Sequence, residues 1–432
     1  MQLSAFASAF RTPDLRKKLL FTLGIVALFR LGSVTPTPGV DYNAVQSCIT
    51  SVEGNSLYGL INLFSGGALL QLSVFALGIM PYITASIILQ LMTVVIPRLE
   101  TLKKEGHAGQ TKITQYTRYL TIALAILQST SIVALARVPG RLFQGCNADL
   151  FPDDSILTVI TMVATMTAGT AVIMWLGELI TDRGVGNGMS LLIFTSIISS
   201  FPSQIAAINA TRGIFITSLT LLVGLLVIMA VVFVEQGQRR IPVQYAKRMV
   251  GRRMYGGTST YIPLKVNMAG VIPVIFASSV LFLPSLFVQL TDPTSGVSQF
   301  IQRHLTQGTE PLYLLVFSAM VIFFTYFYVA ITFNTTEVAD NMKRYGGFIP
   351  GIRAGRPTAE YLDYVLSRLT LPGSLYLAFI AVIPVFAFSG LGVSGRFIFG
   401  GTSLLIMVGV GLDTVKQIES QLQQRNYEGF LR

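Results

Sequence analysis

Isoleucines spaced four residues apart line one predicted helix face: Ile79, Ile83 and Ile87. Side chains at this spacing lie one above the other on a helix. The stretch that carries them, 62–92, is too apolar for a soluble loop, yet a serine and two glycines interrupt it at 65–67. Non-helical backbone at membrane depth is tolerated only where protein or a water-filled cavity surrounds it. The stretch therefore predicts a structure built around a pore.

Ionisable residues are missing from the middle of nearly every apolar segment. Acidic residues and histidines fall instead at segment ends or in loops: Glu178, Glu235, Asp413, His107 and His304. Arg30 lies inside the first segment, close to its outer end, where its side chain can snorkel to the interface. Pumps and ion-coupled carriers place ionisable relay groups within the membrane. A secondary transporter of a small solute, which is the main alternative function, is therefore disfavoured.

The residue patterns of catalysis are missing as well. The sequence has no HExxH motif, no histidine available to pair with a serine in the membrane, and no paired intramembrane aspartates. The glycines at 184, 186 and 188 resemble a phosphate loop superficially, but they lack its lysine and its preceding strand. An intramembrane enzyme is disfavoured, and neither a cofactor nor a metal is expected.

Composition predicts that membrane helices position these residues. The chain is 52% hydrophobic and 12% charged, with a mean hydropathy of +0.64, whereas soluble domains carry about 25% charge. Segments of bilayer length lie near 19–36, 73–96, 117–136, 156–177, 189–208, 214–234, 268–288, 311–332, 372–390 and 397–415. A half-span at 57–70 precedes the second. The expected fold is an all-α polytopic membrane protein with ten transmembrane helices.

The ten spans divide into two five-helix halves, 1–210 and 211–432. Two such halves with a pathway between them are a common transport architecture, although no strong sequence repeat relates them here. Most of the 31 lysine and arginine residues fall in the loops on one side. By the positive-inside rule, both termini and the long basic loops 235–266 and 334–371 are expected in the cytoplasm.

Four segments, in this order on ten spans, closely resemble the SecY family, whose members form the central subunit of the bacterial protein-translocation channel. They are FSGGALLQLSVFALGIMPYITASI at 64–87, GELITDRGVGNGMSLLIF at 177–194, PLKVNMAGVIPVIFASS at 263–279 and NMKRYGGFIPGIRAGRPTAEYLDYVLSRLT at 341–370. The resemblance covers essentially the whole chain. It implies two pseudo-symmetric halves around an hourglass pore, with a half-helix plug.

The resemblance also assigns a ring of apolar side chains at the pore constriction. The ring residues are Ile79, Ile83, Ile87, Met189, Ile193, Ile275 and Ile406. The family usually has isoleucine where this chain has Met189, and methionine fills irregular gaps. A narrow apolar ring excludes water and blocks ions. Taken singly, each of these side chains could equally face lipid or pack between helices.

The resemblance also implies two mobile elements, a plug and a lateral gate. The plug would span 57–70, with its centre at Asn62, Phe64, Ser65, Gly66 and Gly67; a re-entrant loop that never moves is the simpler alternative. A lateral gate towards lipid should lie between spans two and three of one half and spans seven and eight of the other. The gate candidates are Thr84, Gln90, Gln128, Ser278, Ser279 and Leu283. Their polar members would form weak hydrogen bonds between helices.

The resemblance further implies what the channel does and with which partners. It would move unfolded secretory polypeptides across the bacterial cytoplasmic membrane and release membrane segments sideways into lipid. The expected partners are SecE, SecG, the motor ATPase SecA, the ribosome through its rRNA, signal peptides and anionic lipids. Arg252, Arg253 and Arg353 are the docking candidates in the two basic loops. Such loops can also be plain topology determinants or lipid contacts.

The two cysteines, Cys48 and Cys146, lie outside the segments that carry the resemblance. The predicted topology places both in outward loops of the same half, on the side of the membrane where disulfides persist. A bond between them would tie the loop before the plug to the body of that half. Disulfide geometry requires Cα atoms within about 7 Å, so two separate thiols remain the alternative.

Overall fold

The computed structural model describes residues 12–51, 65–138, 150–152, 155–245, 248–250, 253–255, 259–290, 295–305, 310–390 and 401–429. Within these ranges the chain is predominantly helical. The helices are α1 Pro13–Val34, α2 Tyr42–Ser51, α3 Met80–Val95, α4 Pro97–Lys104, α5 His107–Ala136, α6 Ile156–Arg183, α7 Gly188–Glu235, α8 Ile272–Leu290, α9 Gly296–His304, α10 Pro311–Thr332, α11 Thr335–Arg344, α12 Arg356–Gly390 and α13 Gly401–Gly429.

Six helical segments of the described residues are long and apolar enough to cross a membrane, or seven if the bent pair α3 and α4 counts as one span. The predicted total of ten is consistent with this fold and stays a prediction. Helix α7 contains the predicted fifth and sixth spans, and Gly213, with φ of +80°, breaks its helical backbone between them. The predicted boundary between the halves, near residue 210, therefore lies beside an observed kink.

The second span differs from its sequence prediction, because its helix begins at Met80 and not near residue 73. Residues 66–79 form consecutive turns, with Gly78 at φ of +57°. Ser73 pairs with Pro36 in an isolated β-bridge, which diverts the backbone from a helix. Pro81 stands in the first turn of α3, where its missing N–H is tolerated.

The two basic loops of this expected all-α fold contain short strands. The strands are β1 Gln238–Tyr245, β2 Arg248–Val250, β3 Arg253–Tyr255, β4 Ser259–Lys265 and β5 Gly347–Phe348. Strand β1 lies between β4 and β5, antiparallel to both. Alternate residues of this sheet, among them Ile241, Val243 and Leu264, are buried against the start of α12. The sheet therefore joins the two basic loops into one unit.

Candidate functional site

The predicted ring residues come from four parts of the chain. Ile79 directly precedes α3, which carries Ile83 and Ile87, and the others lie on α7, α8 and α13. One apolar cluster contains six of the seven: Ile79, Ile83, Met189, Ile193, Ile275 and Ile406. Ile87 belongs to the neighbouring cluster, with side chains of α8 and α10. The first cluster thus unites residues from both predicted halves.

Three of the six ring residues in this cluster are buried: Ile79, Ile193 and Ile406 are 1%, 4% and 0% exposed. The other three, Ile83, Met189 and Ile275, are partly exposed. The cluster is therefore closed to solvent at the first three side chains and partly accessible at the others. Met189 packs closely against Gly177 of α6, which is how a flexible thioether fills a space left by a missing side chain.

The segment assigned to the plug is described from Ser65 onwards, whereas Asn62 and Phe64 lie outside the described residues. Ser65 is 2% exposed, and its Oγ accepts a hydrogen bond from the Leu69 amide at 3.2 Å. Gly66 and Gly67 adopt φ of +64° and +94°, a conformation that favours glycine. The described end of the segment is therefore a tight turn against the body of the protein.

Arg30 makes contacts that sequence analysis did not anticipate. Its Nη1 donates to the Gly66 carbonyl at 3.0 Å and to Ser199 Oγ at 2.8 Å, while the expected snorkelling of this side chain to the interface stays a prediction. An ionisable residue within a span signals a function with a nearby partner, and this signal could have identified the site. The guanidinium therefore joins α1, the plug segment and α7.

All gate candidates except Gln128 lie on α3 or α8, and Gln128 lies on α5. Helix α3 contacts α8, and each also packs within its own half, against α5 and α10 respectively. Thr84 Oγ1 donates to the Met80 carbonyl and Ser278 Oγ to the Ile275 carbonyl, both at 2.9 Å. The expected bonds between helices are therefore not formed by these two hydroxyls, because a helical hydroxyl can satisfy itself on its own backbone.

The remaining gate candidates have varied surroundings. Ser279 is 4% exposed, and its Oγ has no hydrogen-bond partner. Gln90 is exposed and Gln128 is half-buried, while the side chain of Leu283 lies outside the described residues. A buried hydroxyl without a partner costs free energy and adds no hydrogen bond to the seam. Apolar side chains do join α3 to α8 there, because Ile87 shares a cluster with Val274 and Phe276.

The structure describes the three docking candidates to different extents. Arg353 is exposed in the turn between β5 and α12, where its carbonyl accepts from Thr358 Oγ1 at 2.8 Å. Arg253 lies in β3 opposite Val250, and its side chain is outside the described part, as is the whole of Arg252. The described structure therefore fixes the position of one candidate of the three.

Aromatic side chains accompany these cations, which sequence analysis missed. Arg240 of β1 lies over the ring of Tyr261 on β4, with Cζ 4.8 Å from the ring centre. Tyr345 is 77% exposed, next to the sheet, and Phe348 of β5 is partly exposed. Both basic loops therefore contribute exposed aromatic rings, and an arginine lies over one of these rings.

Polar contacts gather in the segment that precedes α8. Glu235 is 8% exposed and accepts a 2.6 Å hydrogen bond from Asn267 Nδ2, which also donates to the Gly270 carbonyl. Lys265, the last residue of β4, forms a more exposed ion pair with Asp413 of α13 at 3.5 Å. These contacts link the segment before α8 to the end of α7 and to the middle of α13.

Cys48 is 1% exposed, is disulfide-bonded, and packs in a cluster with Leu69 and Leu72. Cys146 lies outside the described residues, so its pairing with Cys48 stays a prediction. Among the residues that the structure describes, no group of three or more His, Cys, Asp or Glu side chains could hold a metal ion.

Comparison with known sequences gives matches over the full length. The SecY family model matches residues 73–415. The protein translocase subunit SecY of Streptomyces scabiei is 66% identical over 437 residues, covering 100% of both chains. The corresponding subunit of Mycobacterium bovis is 61% identical over 442 residues, again covering 100% of both.

Comparison with solved structures agrees on the fold. A structure described as a protein conducting channel has a TM-score of 0.62 at 17% identity, and covers 93% of this chain and 91% of its own. Sec61 in the canine ribosome-channel complex has a TM-score of 0.60 at 17% identity, with the same coverage. From the family model and the full-length relatives, this chain is a member of the SecY family.

Proposed function

We propose that the chain is the pore-forming subunit of a protein-conducting channel in the bacterial cytoplasmic membrane. The observation that supports the proposal is that six predicted ring residues, from both predicted halves, meet in one larger apolar cluster. An apolar constriction excludes water and ions when closed. It also holds no fixed polar partner, so it can pass unrelated peptide sequences. This suits unfolded secretory polypeptides better than any one solute.

The channel itself supplies neither chemistry nor energy in this proposal. It carries out no catalysis and uses no cofactor, so the free energy of transport comes from a partner. The ribosome and the motor ATPase SecA would dock on the surface formed by the two basic loops, with Arg252, Arg253 and Arg353 as contacts. Ribosomal RNA would be bound through phosphates, which makes docking sensitive to salt.

Three further assignments complete the proposal. SecE and SecG would pack on the membrane-embedded surface, and anionic lipids would contact the basic loops. The termini and these loops would face the cytoplasm. Signal peptides would part α3 from α8, and the seam near Ser279 suits this because it relies on apolar contacts that lipid tails can replace.

We also propose that Cys48 is bonded to Cys146. The chain has two cysteines, and Cys48 is buried beside Leu72, in the segment that follows the plug. The bond would anchor the loop before the plug without restraining α3 or α8. The plug would then be displaced only as far as this anchored loop allows.

The test is depletion of the chain in its own host, with restoration from a plasmid as the control. We expect precursors of secreted proteins to accumulate uncleaved during depletion and to be exported again on restoration. Normal export during depletion would refute the proposal. Normal export together with the loss of uptake of one solute would instead support a secondary transporter.

A further inference from the structure

The contact between Arg30 and Gly66 joins a fixed helix to the segment assigned to the plug. One nitrogen, Nη1, donates both to the Gly66 carbonyl and to Ser199 Oγ. The Ser199 hydroxyl donates in turn to the Ser196 carbonyl at 2.8 Å. Its lone pairs are thus left to accept from Arg30. Each of these bonds therefore joins a donor to an acceptor, and the plug takes part only through the backbone carbonyl of Gly66.

Gly66 reaches this position because it has no side chain. A Cβ atom there would lie 3.0 Å from Ser196 Cα, 3.1 Å from Ser199 Oγ and 3.2 Å from Arg30 Nη1. Its φ of +64° also disfavours other residues. The backbone of the plug segment therefore touches α7 directly, between one and two turns after the ring residue Ile193.

Arg30 projects from a rigid part of α1. The neighbouring Phe29 is fully buried and stacks on Phe75, with ring centres 6.0 Å apart. Ser33 Oγ donates to the Phe29 carbonyl at 2.8 Å. The guanidinium is therefore held by the body of the protein, and a movement of the plug would break the bond to Gly66 while the bond to Ser199 stays.

We propose that Arg30 is a latch that holds the plug closed and sets how strongly a signal sequence must act to open the channel. The inference rests on the proposed channel function. Hydrogen bonds to a charged group contribute more than neutral ones, and this contact exists only while the plug is seated. Breaking it is part of opening, so its loss favours the open channel at rest.

The test uses purified channels that carry one of three single substitutions, Arg30→Gln, Arg30→Lys or Ser199→Ala. A fourth channel carries the double substitution Arg30→Gln with Ser199→Ala. Resting conductance is measured in planar bilayers, and export of a reporter with a weakened signal sequence is measured in cells. The matched control is Ser203→Ala. Ser203 lies one turn after Ser199 on α7. Like Ser199, it donates through Oγ to the carbonyl three residues earlier, at 3.0 Å.

Arg30→Gln should raise resting conductance by roughly ten- to a hundredfold, the range for one hydrogen bond to a charged group. Export of the weak-signal reporter should rise with it. Arg30→Lys should lie between wild type and Arg30→Gln, because it keeps the charge and a donor. Ser199→Ala should raise conductance less, since the bond to Gly66 remains, and Ser203→Ala should match wild type.

The double variant separates a latch from a general packing defect. Residues that act through one contact are not additive, so Ser199→Ala should add nothing once Arg30 is glutamine. Full additivity, or wild-type conductance in Arg30→Gln, would overturn the latch. If Arg30→Gln accumulates poorly, the conductance and reporter export of Arg30→Lys and Ser199→Ala decide whether Arg30 is a latch. Failure of the wild-type channel to export normal precursors would refute the channel function instead.

Discussion

Replacement of Ile406 by asparagine should open the closed channel. Ile406 is fully buried in the ring cluster, and burial of such a side chain contributes about 1.5–3 kcal/mol. The asparagine amide would add a cost of about 1–3 kcal/mol, because the apolar ring offers it no partner. In the open channel the same amide faces water, so both terms act against the closed state. Their sum, about 2.5–6 kcal/mol, corresponds to an open fraction that is higher by roughly a hundredfold at the low end of this range and by more at the high end.

The assay is resting ion conductance of purified Ile406→Asn channels in planar bilayers, together with export of precursors that have defective signal sequences. Both should rise. The matched control is Ile208→Asn, because Ile208 is 2% exposed but packs in a separate cluster outside the ring. That variant should lower thermal stability without raising conductance. Equal conductance in the Ile406 variant and wild type would refute the ring as the seal.

Three further changes test other parts of the molecule. Arg353→Glu should weaken binding of the ribosome or motor ATPase and lower the slope of its salt dependence by about one unit per lost phosphate contact, while Arg98→Glu in α4, outside the two basic loops, should not. If affinity and slope are unchanged, the loops serve only as topology signals. Cys48 and Cys146 should resist alkylation until reduction, and quantitative labelling beforehand would exclude their bond. Asn267→Ala should lower the free energy of unfolding by about 1.5–3 kcal/mol, since a buried carboxylate loses its donor; an unchanged thermal midpoint in detergent would contradict this.

The apolar pattern of the sequence predicted the class of fold well. Hydropathy separates membrane from soluble helices without any knowledge of packing, and the predicted fifth and sixth spans fall on either side of the kink at Gly213. The predicted ring depended on the family resemblance. An isolated isoleucine such as Ile275 has no local feature that distinguishes a pore lining from a helix contact.

Features that depend on contacts distant in sequence escaped the prediction. The late start of α3 follows from the pairing of Ser73 with Pro36, which no local pattern reveals. The sheet of the basic loops needs β5, which lies about a hundred residues after its partner β1. Arg30 was assigned to the interface by its place in the span, but its partners, Gly66 and Ser199, come from two other segments.

The apolar ring and the polar contact at Arg30 would both stabilise the closed channel, but through different kinds of contact. The ring contributes through the burial of apolar side chains, whereas the Arg30 contact is directional and exists in one arrangement only, so its loss has a fixed free-energy cost. Because each variant lowers the stability of the closed state, Arg30→Gln and Ile406→Asn should both raise conductance and the export of precursors with defective signal sequences. Their effects should then be nearly additive, since Ile406 and Arg30 share no partner in the described structure.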